Sequence, residues 1–346
     1  MKMRRFMAAA VSAAMAVGLA ACGSSSSTAS SSANATSAAS GASGKTYKIG
    51  ICQLVQHNAL DAATQGFEDA LTKEFGDNVK IDLQSAQGDS TTCATIVNGF
   101  VSNNYDLIMA NATPALQAAV SATSTIPILG TSVTDYGTAL SMDNFSGTTG
   151  LNVSGTSDLA PLDQQEAMIK ELVPNVKKVA IVYCSAEANS EFQAQKIEGY
   201  LKDDGIAYQE YTFADSNDIQ SVVQSAVSDC DAMYIPTDNT AASNMTLVRN
   251  ITEPAKIPII CGEENMCKSG GLATLSISYY DLGYQTGKMA IDILKNGTDP
   301  STMAIQYASA TTKEYNADYA KAIGFTMPDG YTAIGSDDSS ASSTES

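Results

Sequence analysis

Several short polar stretches carry the groups that could do chemistry in this chain, and each directly follows or precedes an apolar run. Asn111-Ala112-Thr113-Pro114 ends such a run and opens an amphipathic one, with Thr113 placed to cap a helix and Pro114 at its first position, where a missing N–H costs nothing. Free amides at that terminus, together with the Thr113 hydroxyl, suit a carboxylate. Thr131-Ser132-Val133, read as a turn after the next run, can add further donors. Asp238 follows the run Ala232–Pro236 and is placed to accept hydrogen bonds from an ammonium group, with Glu187 as the next candidate. Local roles compete with these: Thr113 caps its helix in any case, Asp238 is equally suited to an N-cap or turn, and Glu187 to a solvated loop.

His57 is the only histidine, and with Gln53 and Asn58 close by it suits hydrogen bonding into a cleft. A Ser–His or Cys–His nucleophile would have to use this one residue, and no G-x-S-x-G elbow occurs, so the chain does not read as an enzyme. No His/Cys/carboxylate cluster has zinc spacing, and neither metal nor cofactor is expected. Tyr183, Phe213, Tyr234 and Tyr279 stand at the ends of apolar runs and could wall a slot for a ring, although aromatic residues in such runs are more often core. With no Trp in the chain, the slot has no indole of its own.

The elements that must position these groups form two successive α/β units. In the first, strands are expected at Tyr47–Leu54, Val79–Ser85, Leu107–Asn111 and Ile126–Gly130, with helices at Asp61–Glu74, Thr91–Ser102 and Pro114–Ala122. In the second, strands are expected at Lys178–Tyr183, Ala207–Phe213, Ala232–Pro236, Pro258–Cys261 and Leu272–Ser276. Its helices fall at Phe192–Asp203, Asp218–Val227 and Ala241–Asn250. This alternation predicts parallel, doubly wound sheets covered on both faces, each unit of roughly 130 residues having its own core. A strong helix over Tyr280–Asn296, a short strand near Ala304–Tyr307 and a last helix around Asn316–Ile323 remain, so the chain crosses back between the units. The expected lobes are 45–157 plus 278–302 and 158–277 plus 303–334, joined by a multi-strand hinge, with a disordered tail from Gly335 to the end. Ligands of open parallel sheets sit at the carboxyl ends of the strands, which places the site in the cleft between the lobes.

The first 22 residues fix the compartment. Lys2, Arg4 and Arg5 precede an Ala-rich apolar run too short for a convincing membrane span, and the run ends in Leu19-Ala20-Ala21-Cys22, which resembles a bacterial lipobox. Residues 1–21 are then a removable signal and Cys22 a lipidated, palmitate-bearing N-terminus. Residues 23–44, nearly all Ser, Ala, Gly and Thr, form a tether with a root-mean-square span of about 26 Å. The expected location is extracytoplasmic, anchored to the cell membrane through lipid. The formal net charge is −18, and loss of the three basic signal residues leaves 16 Lys and Arg against 37 Asp and Glu, a balance of −21. Such a surface repels phosphate backbones, so no nucleic-acid partner is expected. Six cysteines follow Cys22. Cys261 and Cys267, nearest in sequence, could bridge, while most of the six should pack as small apolar residues.

Taken in order, Ile49-Gly50-Ile51-Cys52-Gln53 through His57-Asn58-Ala59-Leu60-Asp61, Asn111-Ala112-Thr113-Pro114-Ala115, Thr131-Ser132-Val133-Thr134-Asp135, Glu187-Ala188-Asn189-Ser190, Pro236-Thr237-Asp238-Asn239 and Tyr279-Tyr280-Asp281-Leu282-Gly283 resemble the TrpX-type substrate-binding proteins of ABC importers. The resemblance runs from Lys45 to about Pro328. It implies the class I periplasmic-binding fold, an aromatic amino acid or similar small amphiphile as ligand, and an ABC permease with its ATPase as partner to a monomeric receptor. Site residues expected from these motifs add Asn111, Ala112, Val133, Asn189 and Tyr279 to the groups above. Tyr136 stands where the family usually has Pro, and Cys184-Ser185-Ala186 where Asn-Pro-Gly is usual. A ligand's carboxylate is expected on the first lobe and its amine on the second. An input protein for a signalling receptor is the alternative, since it would use the same closed form.

Overall fold

A computed structural model describes residues 45–335; the lipobox-like segment, the tether and the tail from 336 lie outside the described residues. The first lobe runs β1 (Tyr47–Gln53), α1 (Asn58–Phe75), β2 (Val79–Ser85), α2 (Ser90–Ser102), β3 (Leu107–Asn111), α3 (Thr113–Ala122), β4 (Ile128–Val133), α4 (Tyr136–Ala139) and β5 (Val153–Ser157). The second runs α5 (Leu162–Leu172), β6 (Lys178–Cys184), α6 (Ala188–Asp203), β7 (Ala207–Phe213), α7 (Ile219–Val227), β8 (Ala232–Ile235), α8 (Asn239–Ala242), α9 (Met245–Ala255), β9 (Ile259–Cys261), α10 (Glu264–Gly270) and β10 (Ala273–Ser276). The chain then returns through α11 (Tyr279–Asn296) and β11 (Gln306–Tyr307) and closes with β12 (Thr312–Tyr315), α12 (Ala317–Ile323) and β13 (Thr332–Ala333).

Two sheets result, in the orders β11-β5-β4-β3-β1-β2 and β13-β12-β10-β9-β8-β6-β7. All pairings are parallel except β10 with β12. Alternation along the central strands explains the double covering. Ile49, Ile51, Leu107 and Met109 face α1 and α11 with Phe67 and Met289, while Cys52, Ile108 and Ala110 face α2 and α3 with Phe100 and Leu116. The second lobe has one continuous core, built on Val179, Ile181, Tyr234, Ile259 and Ile260.

Gln306 and Tyr307 pair with Thr156 and Ser157 in the first sheet, so the expected boundary at 302 moves beyond Tyr307. Three crossovers join the lobes: Asp158–Pro161, Ile277–Ser278 and Ala308–Thr311. Strand β5 had no place in the expected element order, because its Ser154 and Thr156 are polar yet fully buried. Ser154 donates to the Met303 carbonyl at 2.9 Å, and Thr156 joins a hydroxyl chain from Thr131 (3.1 Å) to Thr286 (2.9 Å). All six described cysteines are buried and unbridged, Cys261 and Cys267 included. Among the described residues no helix is long and apolar enough to cross a membrane.

Candidate functional site

The register lines up Gln53, Asn111 and Thr131 side by side at the carboxyl end of the first sheet, where the motifs predict the site. Their side chains nevertheless tie the lobe together. Gln53 donates to Asp61 (2.6 Å) and the Val55 carbonyl (2.9 Å) and accepts from Thr64 (2.7 Å). Asn111 donates to the Leu60 carbonyl and Thr64, and Thr131 enters the hydroxyl chain toward α11. Thr113 is the first residue of α3 rather than its cap. The cap position is Ala112, held at φ 92° and ψ 157°, a region that costs about 1–3 kcal/mol for a residue with a Cβ. Thr131-Ser132-Val133 is the end of β4 and not a turn. The pairing with β5 shifts between Gly130 and Val133, and Ser132 takes a left-handed φ of 54°. Val133 packs into the core, and Asn58 is exposed.

What the strand ends enclose is a narrow cavity between the lobes. The first lobe contributes His57, Leu60, Ser132 and Thr134, the first crossover Asp158, the start of α11 Tyr279, and the second lobe residues from the segments after β6, β8 and β9: Asn189, Thr237, Asp238, Asn239, Ala242, Glu263 and Met266. Four buried polar atoms on these residues have no hydrogen-bond partner among the described residues: His57 Nδ1, Ser132 Oγ, Asp158 Oδ1 and Asn189 Oδ1. Buried polar atoms are rarely left unpaired in folded proteins, so four on one cavity mark a place built for a guest. The larger open groove beside the crossovers holds one such atom, Glu314 Oε2.

The two carboxylates expected to meet an amine are engaged within the second lobe. Asp238 Oδ1 accepts from the Ala241 amide and Oδ2 from the Cys184 amide, each at 2.7 Å, which makes it the cap of α8 and a brace to β6. Burial, and next the charge of Glu187, push its pKa up to about 8. Glu187 accepts from the amides and side chains of both Asn239 and Thr240, between 2.6 and 3.0 Å. The free carboxylate oxygen in the cavity belongs instead to Asp158. Its Oδ2 accepts from the Tyr279 hydroxyl at 2.8 Å while Oδ1 is unpartnered, and burial raises its pKa against the hydrogen bonds of Tyr279 and Thr134.

Glu263 caps α10, accepting from the amides of Met266 (2.6 Å) and Asn265 (2.7 Å), and burial lifts it to about 7. His57 Nε2 meets Asn239 Oδ1 at 3.2 Å, a hydrogen bond from one lobe to the other, and burial lowers its pKa. No Lys or Arg lines the cavity. Leu60, Ala242 and Met266 supply its apolar wall. Of the four aromatic residues expected there, only Tyr279 reaches it: Tyr183 and Tyr234 turn to Glu210 and Gln165, and Phe213 joins the core.

Asp158 and Thr134 gave no separate sequence signal, but Gly155-Thr156-Ser157 repeats Gly130-Thr131-Ser132, and the two glycines are in register on β4 and β5. That repeat is the signal that could have led to β5 and to the carboxylate at its end. An acceptor-rich, enclosed set of this kind can hold an ammonium group and bury an apolar body.

Residues 48–334 match the family model for ABC transporter substrate binding protein. The tyrosine-binding protein of Clostridioides difficile is 39% identical over 287 residues, 81% of this chain and 82% of that protein. A Streptococcus pneumonia ABC domain solved in complex with L-Trp is 34% identical, with a TM-score of 0.79 over 84% of this chain and all of the other. A ligand-free, open substrate binding protein from Clostridium difficile is 38% identical, with a TM-score of 0.64 over 83% of this chain and 99% of the other. The match spans both lobes and every segment that lines the cavity: the chain belongs to the ABC transporter substrate binding protein family.

Proposed function

We propose that this chain captures an aromatic amino acid outside the cell membrane and delivers it to the permease of an ABC importer. The observation that carries the reading is Asp158 Oδ1, a buried and unpartnered carboxylate oxygen in a cavity closed between two lobes. An ammonium group on Asp158 supplies the missing partner, Leu60, Ala242 and Met266 take the apolar side chain, and Ser132 at the irregular end of β4 is the free hydroxyl for the carboxylate. The amine thus moves from Asp238, where the sequence pointed, to the first crossover. Binding is lobe closure by hinge motion without covalent chemistry.

Two comparisons support the ligand class: one relative is a tyrosine-binding protein, and one solved relative holds L-Trp. At similar identity the chain fits the L-Trp complex better than the open, ligand-free structure, as expected of a closed conformation. In this reading a lipid on Cys22 tethers a monomeric receptor near its permease, and the mature charge of −21 keeps nucleic acid away.

Thermal melting of the purified protein against the twenty amino acids tests the reading. At a hundredfold excess over its dissociation constant a true ligand adds about 2.7 kcal/mol, a rise of roughly 5–10 °C for a chain of this size. The expected result is a rise with an aromatic amino acid and none with sugars or nucleosides. No response to any amino acid overturns it.

A further inference from the structure

We infer that His57 reads a hydrogen-bond donor on the ligand's ring, so that the cavity takes tyrosine or tryptophan and discriminates against phenylalanine; the inference rests on the aromatic amino acid reading above. The argument begins with Glu187. Its carboxylate accepts from Asn239 Nδ2 at 2.6 Å, which fixes the orientation of that amide and turns Oδ1 toward His57. An amide oxygen can only accept, so the His57 nitrogen facing it, Nε2, carries the hydrogen. Burial favours the neutral imidazole. In the neutral ring with hydrogen on Nε2, Nδ1 is an acceptor, and this atom, on a residue that lines the cavity, is buried without a partner among the described residues.

The position of Nδ1 separates it from the amine. His57, Ala242 and Glu263 border both the cavity and a groove at its mouth that Ser132, Asp158 and Tyr279 do not reach. The ammonium, on Asp158 at the crossover, leaves the side chain to extend along Leu60 and Met266 toward His57. Glu263, the other acceptor at that end, already holds two helix amides. A phenolic O–H or an indole N–H supplies a donor for His57 Nδ1; a phenyl ring leaves the acceptor buried and unpaired, which lowers affinity by about 5- to 150-fold.

Calorimetric titration of the purified protein with L-tyrosine, L-tryptophan, L-phenylalanine and 4-fluoro-L-phenylalanine tests this. The fluoro compound nearly matches tyrosine in shape but donates nothing. Tyrosine or tryptophan should bind at least about fivefold more tightly than both non-donors. In His57→Phe all affinities fall with the loss of the bond to Asn239, and the ratio of tyrosine to 4-fluorophenylalanine should fall toward one. A ratio measured within one protein does not respond to a general loss of folded material. Equal binding of tyrosine and the non-donors, or a ratio that survives His57→Phe, overturns the inference and leaves the aromatic amino acid reading standing. Failure of every aromatic amino acid to bind overturns both.

Discussion

Tyr279 donates its phenolic hydrogen to Asp158 Oδ2 at 2.8 Å; Asp158 opens the first crossover between the lobes, and Tyr279 is the first residue of α11, directly after the second. The bond ties the first crossover to the start of the helix that follows the second, and it leaves Asp158 Oδ1, on a residue that lines the cavity, without a partner among the described residues. Occupancy and closure therefore meet at one carboxylate. A ligand that satisfies Oδ1 also stabilises the charged acceptor of the Tyr279 bond, and with it the closed arrangement of the crossovers.

Asp158→Asn should consequently cost most of the binding energy. Truncating one partner of a buried charge pair costs about 2–5 kcal/mol, or about 30- to several thousand-fold in affinity. The empty protein should melt no lower than the parent, because burial disfavours the ionised Asp158 side chain. Titration with L-tyrosine and a melting curve without ligand check the two halves together. Full affinity in the variant would return the amine to another acceptor.

Asp238→Ala should behave in the opposite way. Losing a helix cap costs about 0.5–2 kcal/mol, and leaving the Cys184 amide without its acceptor about 1–3 kcal/mol more. The unliganded melting point should drop by about 5 °C, while the protein that remains folded still responds to the amino acid. An unchanged melting point with lost binding would make Asp238 a ligand contact.

The contrast between these two aspartates shows what the sequence could and could not convey. Both follow strands, and the alternation of apolar runs with helical stripes was enough to place Asp238, Asn111 and Gln53 at carboxyl ends of strands. Which atoms remain free there depends on partners far away in the chain, such as the Cys184 amide 54 residues from Asp238. Asp158 escaped notice because β5 carries Ser154 and Thr156, polar residues that become strand core only when Met303, Thr131 and Thr286 satisfy them. Tyr279, by contrast, was legible from its motif, and the same motif contains the glycine that lets its helix approach the first lobe.

That glycine is Gly283. A Cβ there would lie 1.8 Å from the Ala63 carbonyl oxygen of α1, and one on Gly66 of α1 would lie 2.1 Å from the Tyr280 carbonyl of α11. Backbone meets backbone, so no side chain can yield. Gly283→Ala should lower stability by at least the usual overpacking cost of about 1–3 kcal/mol, several degrees in melting temperature. Because α11 begins with Tyr279, pushing it from α1 should also weaken ligand binding. A variant that melts and binds like the parent would show that the two helices do not lie this close.

The buried carboxyls also predict how the empty protein responds to pH. Burial lifts Glu263 from the ordinary 4.5 to about 7, against the two amides it caps. Between those values the folded chain holds a proton that the unfolded chain has released, so the folded state binds more protons and stability falls as pH rises. The contribution is complete below about pH 4.5 and lost once pH has passed about 7. Asp238, lifted to about 8, acts with the same sign over a window that extends higher. Melting temperatures of the unliganded protein should therefore decline from about pH 5 to pH 8, and Glu263→Gln, which removes the titration while keeping an acceptor for the cap, should flatten part of that decline. A profile that rises over this range would mean that the Asn265 and Met266 amides hold Glu263 ionised throughout, and that the cavity is negative even before a ligand's ammonium enters it.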